Sequence, residues 1–376
     1  MNNDVDYDDI RPFHDREVSD VLSSLLQDKE FIGFLAKQTS PKLMRIIPRF
    51  IARRVSQRLK NNVQNIDSIH GLQQQLAPHI EALIYQTCDS VKVTGLDTLD
   101  PNQTYVYISN HRDIIMDPLL LNHALLSHDF PSSRIAIGDN LLSKPFIAKL
   151  MRLNKSFVVK RSVQGSRKKL AAVTDLSHYI HQCLKSKHSV WLAQQSGRSK
   201  DGQDYTDSAV LKMLHLAGRK LGWDFSESMN FMNLVPVSIS YEWDPCDIDK
   251  AREILAVKSG KAYQKQQDED LASMLKGLKL KKGSVAIHFS NPLTSMSSNP
   301  KDWCDAVDHA LHQNYEVYDS QRMAYEALYD TQFDHVLVDE TYRKRWEKRL
   351  AKMPKELREQ VEFNYAQVCK LKNSAQ

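Results

Sequence analysis

The chain has 376 residues, enough for one large domain with additions or for two domains, and its 41% apolar and 8% aromatic residues can fill a substantial core. That composition excludes a disordered or low-complexity chain. A net charge of +5 with pI near 8.7 suits an anionic ligand or surface but is too weak to imply nucleic acid.

The opening residues, MNNDVDYDDI, are acidic and polar, which argues against a secretory signal peptide. No apolar run approaches the roughly 18 residues of a spanning helix, so any membrane contact is expected at the surface. Residues 1–90 read as helical. REVSDVLSSLLQDKEFIGFLAKQ has apolar residues at three- and four-residue steps. In SPKLMRIIPRFIARRVSQRLKNN (40–62), Leu43, Ile46, Ile47, Phe50, Ile51 and Val55 can share one face. Lys42, Arg45, Arg49, Arg53, Arg54, Arg58 and Lys60 flank or oppose it. Pro48 is expected to kink this segment or end one turn. Such a basic amphipathic helix either docks on its own domain or lies in a lipid interface.

The middle of the chain alternates β-rich runs with helical ones. TYVYIS (104–109), SRIAIG (133–138), SFVVKR (156–161), HSVWLAQ (188–194), NLVPVSIS (233–240) and GSVAIHFS (283–290) are strand candidates. Pro236 places its strand at an edge, or itself near the strand start. SRKKLAAVTDLSHYIHQCLKS and DSAVLKMLHLAGRKLG read as helices between them. From about 300 the chain is helical and highly charged, with two final helices broken near Pro354. The expectation is an α/β fold, a mixed central sheet covered by helices, with helical N-terminal and C-terminal additions. The segments would be 1–90, 91–300 and 301–376. Five cysteines at wide spacing, with no CxxC, suggest neither zinc nor a disulfide framework and read as free thiols of a reducing cytoplasm. No GxGxxG or GxxxxGK[ST] follows any strand, so a dinucleotide site and a P-loop are unsupported.

The informative stretch is SNHRDIIMDP (109–118). His111 follows a strand directly. Asp117-Pro118 reads as N-cap and first helical residue of the next helix. A histidine beside a carboxylate is the arrangement of a general base whose ring the acid orients. The plainer alternative is a cap and a turn. A kinase catalytic loop is excluded: an Asn is needed five residues after Asp113, where Pro118 stands, and no DFG or glycine-rich loop is present. Two other strand ends carry basic residues: Lys160-Arg161 in NKSFVVKRS, and Arg198 and Lys200, on either side of Ser199, in WLAQQSGRSKDG. A Gly turn with Arg makes an anion site.

Taken in order, NHRDIIMD, FVVKRS, QSGRSKDG and VPVSISYE resemble the four blocks of the glycerolipid O-acyltransferase family, which includes glycerol-3-phosphate and 1-acylglycerol-3-phosphate acyltransferases. The resemblance covers roughly 95–295. It implies an α/β domain at the inner face of the membrane, held peripherally on the cytoplasmic side. The donor would be acyl-CoA or acyl-carrier protein, and the acceptor a glycerol phosphate or lipid. No further cofactor, no metal and no nucleic acid is expected. His111 would be the base and Asp117 its partner. Arg112, Lys160, Arg161, Gly197, Arg198 and Ser199 would hold the acceptor head group.

Two positions depart from the family pattern. Five residues rather than four separate His111 from Asp117, which leaves Asp113 as a second candidate for the acid; Pro118 favours Asp117. The third block has Gln195 or Ser196 where the family has Glu. That leaves room for a lyso-aminolipid acceptor, or for a catalytically silent relative on the membrane surface. An alcohol needs a base to attack at neutral pH, and a histidine near pKa 6.5 serves. No GxSxG elbow is present, so direct attack on the thioester needs no acyl-enzyme.

Overall fold

The computed structural model describes residues 7–260, 268–294 and 296–375. Its strands, in chain order, are β1 (Cys88–Thr94), β2 (Val106–Ser109), β3 (Arg134–Gly138), β4 (Ser156–Val159), β5 (Val190–Ala193), β6 (Leu234–Tyr241) and β7 (Gly283–Phe289). Six match the runs expected from sequence. β1 is the addition. It pairs along β7 at the end of the sheet and leaves most of its residues in water, so CDSVKVT carries little apolar signal.

The chain divides into two compact units, Met1–Ala82 with Arg134–Ala172, and Leu83–Ser133 with Val173–Gln376. The segments expected from sequence were continuous; these units are not.

In the larger unit the strand order is β1-β7-β6-β2-β5. β1 runs parallel to β7, β6 antiparallel to β7, and β2 parallel to both β6 and β5, so the sheet is mixed. β2 and β6 are buried along their whole length, as central strands covered on both faces should be. The helix Pro300–Gln313 packs on β6 through Trp303, Val307 and Leu311, and Ser238 donates to the Leu311 carbonyl at 2.8 Å. Pro236 is near the start of β6, as expected, but the strand is not an edge. Its carbonyl accepts from Ser290 N at 2.9 Å, so its missing N–H faces the same side. There β7 has already ended at Phe289, and no ladder bond is lost.

The C-terminal helices Glu340–Leu350 and Lys355–Ser374 break at Pro354, as expected. With Trp243 and Met323 they bury an aromatic core around Trp346 and Tyr365.

In the smaller unit β3 and β4 pair in parallel around the helix Pro145–Leu153, and Val158 N donates to the Ile10 carbonyl. The ring of Phe146 meets Phe31 and Phe34 at 5.7 and 5.5 Å between centroids. The N-terminal periodic stretch forms two helices, Asp15–Gln27 and Lys29–Thr39. Asp28 breaks them and caps the second, accepting from the N–H groups of Glu30 and Phe31. The basic segment is a short turn of helix, Leu43–Ile46, followed by Pro48–Val63 with Pro48 at its start. Its apolar face divides. Ile51 is buried, whereas Leu43, Ile47, Phe50 (60% exposed) and Ile46 (75%) face water. No helix among the described residues is long and apolar enough to cross a membrane.

Candidate active site

The loop after β2 is fixed at its first residue. Asn110 is buried, and its side chain both donates to and accepts from the backbone of Ile239 in β6, at 2.9 and 2.8 Å. Ser109 accepts from the indole of Trp191 in β5 at 2.9 Å. The two strands beside β2 therefore set where His111 emerges. The His111 carbonyl accepts from Ser199 N at 2.8 Å, and its ring meets Trp191 edge-on at 5.5 Å. First, third and fourth blocks thus converge within the larger unit.

His111 Nδ1 lies 2.7 Å from Asp117 Oδ2; the ring keeps 13% of its surface exposed while the carboxylate has none. The same oxygen accepts the backbone N–H groups of Arg112 at 2.6 Å and Asp113 at 2.9 Å. Asp117 Oδ1 accepts the hydroxyl of Tyr241 at 2.7 Å. Burial, the largest influence, drives this carboxyl toward protonation, but His111, Tyr241 and the Asp113 N–H together hold it below the ordinary range. A carboxylate opposite Nδ1 favours the tautomer that carries its proton on that nitrogen.

The loop's extra residue is explained by Asp113. Its Oδ1 accepts from Ile115 N and Met116 N at 2.9 and 2.8 Å, the task expected of Asp117. The helix accordingly begins at Met116, with Ile115 as N-cap and Asp117 inside its first turn. Pro118 also falls within the first turn, where no intrahelical donor is needed. Burial and the neighbouring Asp117 charge push the Asp113 carboxyl up, against its two backbone donors and Lys250. Its Oδ2 is buried with no hydrogen-bond partner among the described residues, against Gly277.

Arg112 is not an open head-group ligand. It is buried and pairs with Asp204 at 2.5 Å and Asp244 at 3.6 Å; Tyr315 donates to the same Asp204 oxygen at 2.7 Å. Burial works against its charge, but Asp204 and Asp244 outweigh this and raise its pKa. Asp244 also pairs with Lys250. Arg112, Tyr241, Asp244 and Lys250 line a cavity of about 30 Å³, far too small for a lipid or coenzyme. Two aspartates on one guanidinium explain why this arginine turns inward rather than toward a ligand.

The third block behaves differently at each residue. Gly197 adopts φ +89°, the left-handed region that a side chain would strain. Ser199 is buried and spends its N–H on His111. Arg198 is half-buried, and its guanidinium donates to Ser273 Oγ at 2.8 Å. Lys160 and Arg161 belong to the smaller unit. There Lys160 pairs with Asp9, and the exposed Arg161 donates its backbone N–H to Asp139 at 3.1 Å. Sequence reading missed Asn110, Tyr241, Asp204 and Asp244. Tyr241 had a signal, since it continues the Val237, Ile239 alternation as a polar-tipped aromatic at the strand's end. Asp204, in a loop, had none.

The site thus sets a histidine against a buried carboxylate on a strand-to-helix loop of a mixed α/β sheet. Residues 90–240, less than half of the chain, match the family model described as Acyltransferase. Among curated proteins the chain is similar to the glycerol-3-phosphate acyltransferase of Pseudomonas syringae pv. tomato, 26% identical over 208 residues, covering 54% of this chain and 23% of that protein. It is also similar to the glycerol-3-phosphate acyltransferase of Pseudomonas aeruginosa, 27% identical over 227 residues, covering 58% of this chain and 25% of that protein. The aligned part spans about a quarter of those relatives' length. Among solved structures, the 1-acyl-sn-glycerophosphate acyltransferase PlsC of Thermotoga maritima aligns over 78% of this chain and 92% of its own at 12% identity. The TM-score of 0.38 is too low to bear on the fold.

Proposed function

We propose that the chain transfers a fatty acyl group from a thioester donor, acyl-CoA or acyl-carrier protein, to a hydroxyl of glycerol-3-phosphate or a lysolipid, with His111 as general base. The observation that carries this is the 2.7 Å contact of His111 Nδ1 with a buried Asp117 held ionised by donors on both oxygens. His111 Nε2 takes the acceptor's hydroxyl proton as its oxygen attacks the thioester carbonyl carbon. The tetrahedral adduct collapses with loss of the thiolate, which recovers the proton from the imidazolium, leaving an ester and a free thiol. Asp117 steadies the imidazolium, and Tyr241 is a positioning residue that orients Asp117.

Arg198 beside the Gly197 turn is the cation of the larger unit best placed by sequence to meet an anionic head group; Lys160 and Arg161 are the expected contributors from the smaller unit. The exposed Leu43, Ile46, Ile47 and Phe50 among arginines suit a peripheral attachment to an anionic bilayer on the cytoplasmic side. No metal or further cofactor enters the scheme. A lyso-aminolipid acceptor, or a silent relative, is the alternative that Gln195 in the third block motivates. Thiol release from palmitoyl-CoA, with glycerol-3-phosphate, lysophospholipids and a lyso-aminolipid as acceptors, separates these readings. Turnover with none of them, together with vesicle binding, would favour the silent relative.

A further inference from the structure

The C-terminal helices carry a second concavity that the acyl-transfer scheme does not use. It is a pocket of about 420 Å³ in the larger unit, within the ~300–1,000 Å³ usual for small-molecule sites. Five of its lining residues are cations: Arg252, Arg345, Lys348, Arg349 and Lys352. Among the described residues lining it there is no carboxylate. Its apolar part is Ile248, Met353 and Leu357.

Three of the cations, Arg345, Lys348 and Arg349, stand at i, i+3 and i+4 on the helix Glu340–Leu350, and Lys352 follows just past its end. Like charges at this spacing repel. Internal partners relieve the repulsion unevenly. Arg349 gives one nitrogen to Asp247 at 2.6 Å, while its Nη1 is buried without a hydrogen bond among the described residues. Arg252 reaches Asp249 only at 3.4 Å. Lys348 and Lys352 have no acidic partner among the described residues. The guanidinium groups of Arg345 and Arg349 stand 5.2 and 5.3 Å from the ring centroid of Trp243, itself fixed in the aromatic core. Two arginines are thus propped on a rigid base beside Lys348 and Lys352.

We propose that this pocket binds a phosphate-ester anion, its phosphate against the cations from Arg345 to Lys352 and its less polar part against Ile248, Met353 and Leu357. Several uncompensated cations around one concavity select phosphate, and the apolar floor selects an organic ester over the inorganic ion. Such an ester reaches the pocket either in solution, as in a nucleotide coenzyme, or on a bilayer, as a phospholipid head group. The proposal does not depend on the acyl-transfer reading, and its test measures binding alone.

The full chain is titrated calorimetrically with coenzyme A and co-sedimented with phosphatidylcholine vesicles lacking or containing phosphatidylglycerol. Lys348→Glu/Lys352→Glu is compared with Lys168→Glu/Lys169→Glu, an equal charge change at exposed positions of another helix. We expect binding to at least one probe that weakens as salt rises, is reduced about tenfold or more by the pocket variant, and is changed less than about twofold by the control. Response to coenzyme A alone identifies the soluble source; response to phosphatidylglycerol vesicles alone identifies the bilayer. Binding of neither probe, binding unchanged in the pocket variant, or equal loss in both variants overturns the proposal. Unchanged thermal melting of both variants excludes misfolding as the cause.

Discussion

The His111 loop and the C-terminal pocket use charge in opposite ways. Around His111, both oxygens of Asp117 and the guanidinium of Arg112 are committed to partners inside the fold. In the pocket, Lys348, Lys352 and one arm of Arg349 are not. A committed group is held in one geometry and one protonation state, which a proton-transfer step requires. An uncommitted group is available to a ligand. The two regions should therefore fail differently when altered: the loop in rate and stability, the pocket in binding only.

The largest effect is expected at Asp117. In Asp117→Asn the amide oxygen can still meet backbone donors, but the charge opposite the imidazolium is gone. Turnover should fall by about 10²–10⁴ in steady-state thiol release, while Asp113→Asn keeps most of it. Equal losses in the two variants would break the distinction drawn between the aspartates.

Gly277→Ala comes next. Alanine is the better helix former by ~1 kcal/mol, so an isolated helix would gain. Here the added Cβ would lie 2.3 Å from Asp113 Oδ2, and a net loss of about 1–3 kcal/mol is expected in urea unfolding. A gain in stability would show that the loop yields.

Asp113 also gives a pH signature. Its folded-state pKa is raised, so its contribution to stability is present below the unfolded value near 3.9 and is lost as pH rises through the folded value. Asp117 is depressed; its contribution is present above the unfolded value and lost as pH falls through the folded one. Asp113→Asn should therefore be more stable than the parent at neutral pH, with the advantage shrinking on acidification toward pH ~4. Melting curves across that range check it. The smallest effect is expected in the pocket, where Lys348→Ala should change unfolding free energy by no more than about 0.5 kcal/mol.

Much of this was legible in the sequence. The β-rich runs and their intervening helices stood out because β2, β5 and β6 are apolar almost throughout. His111 and Asp117 were legible from their order, whereas Pro118 put the helix start two residues late. What sequence could not supply was which aspartate takes which donor. Capping rules favoured Asp117 for the helix start, but a buried carboxylate beside a histidine is more valuable as its partner, and Asp113, two residues past His111, reaches the helix donors instead. Arg112 misled for a similar reason. Its partners, Asp204 and Asp244, are 92 and 132 positions away, and only the folded chain shows that they turn it inward. β1 was missed because an exposed end strand need not be apolar.

The central claim is that His111 removes the proton from the acceptor hydroxyl. The most direct measurement is release of free thiol from palmitoyl-CoA, with glycerol-3-phosphate and with lysophospholipids as acceptors, by the parent chain and by His111→Ala, with both melting curves recorded. Acceptor-dependent release by the parent that falls about 10²–10⁴-fold in a normally folded His111→Ala is the expected result. Full acceptor-dependent release by His111→Ala would contradict it.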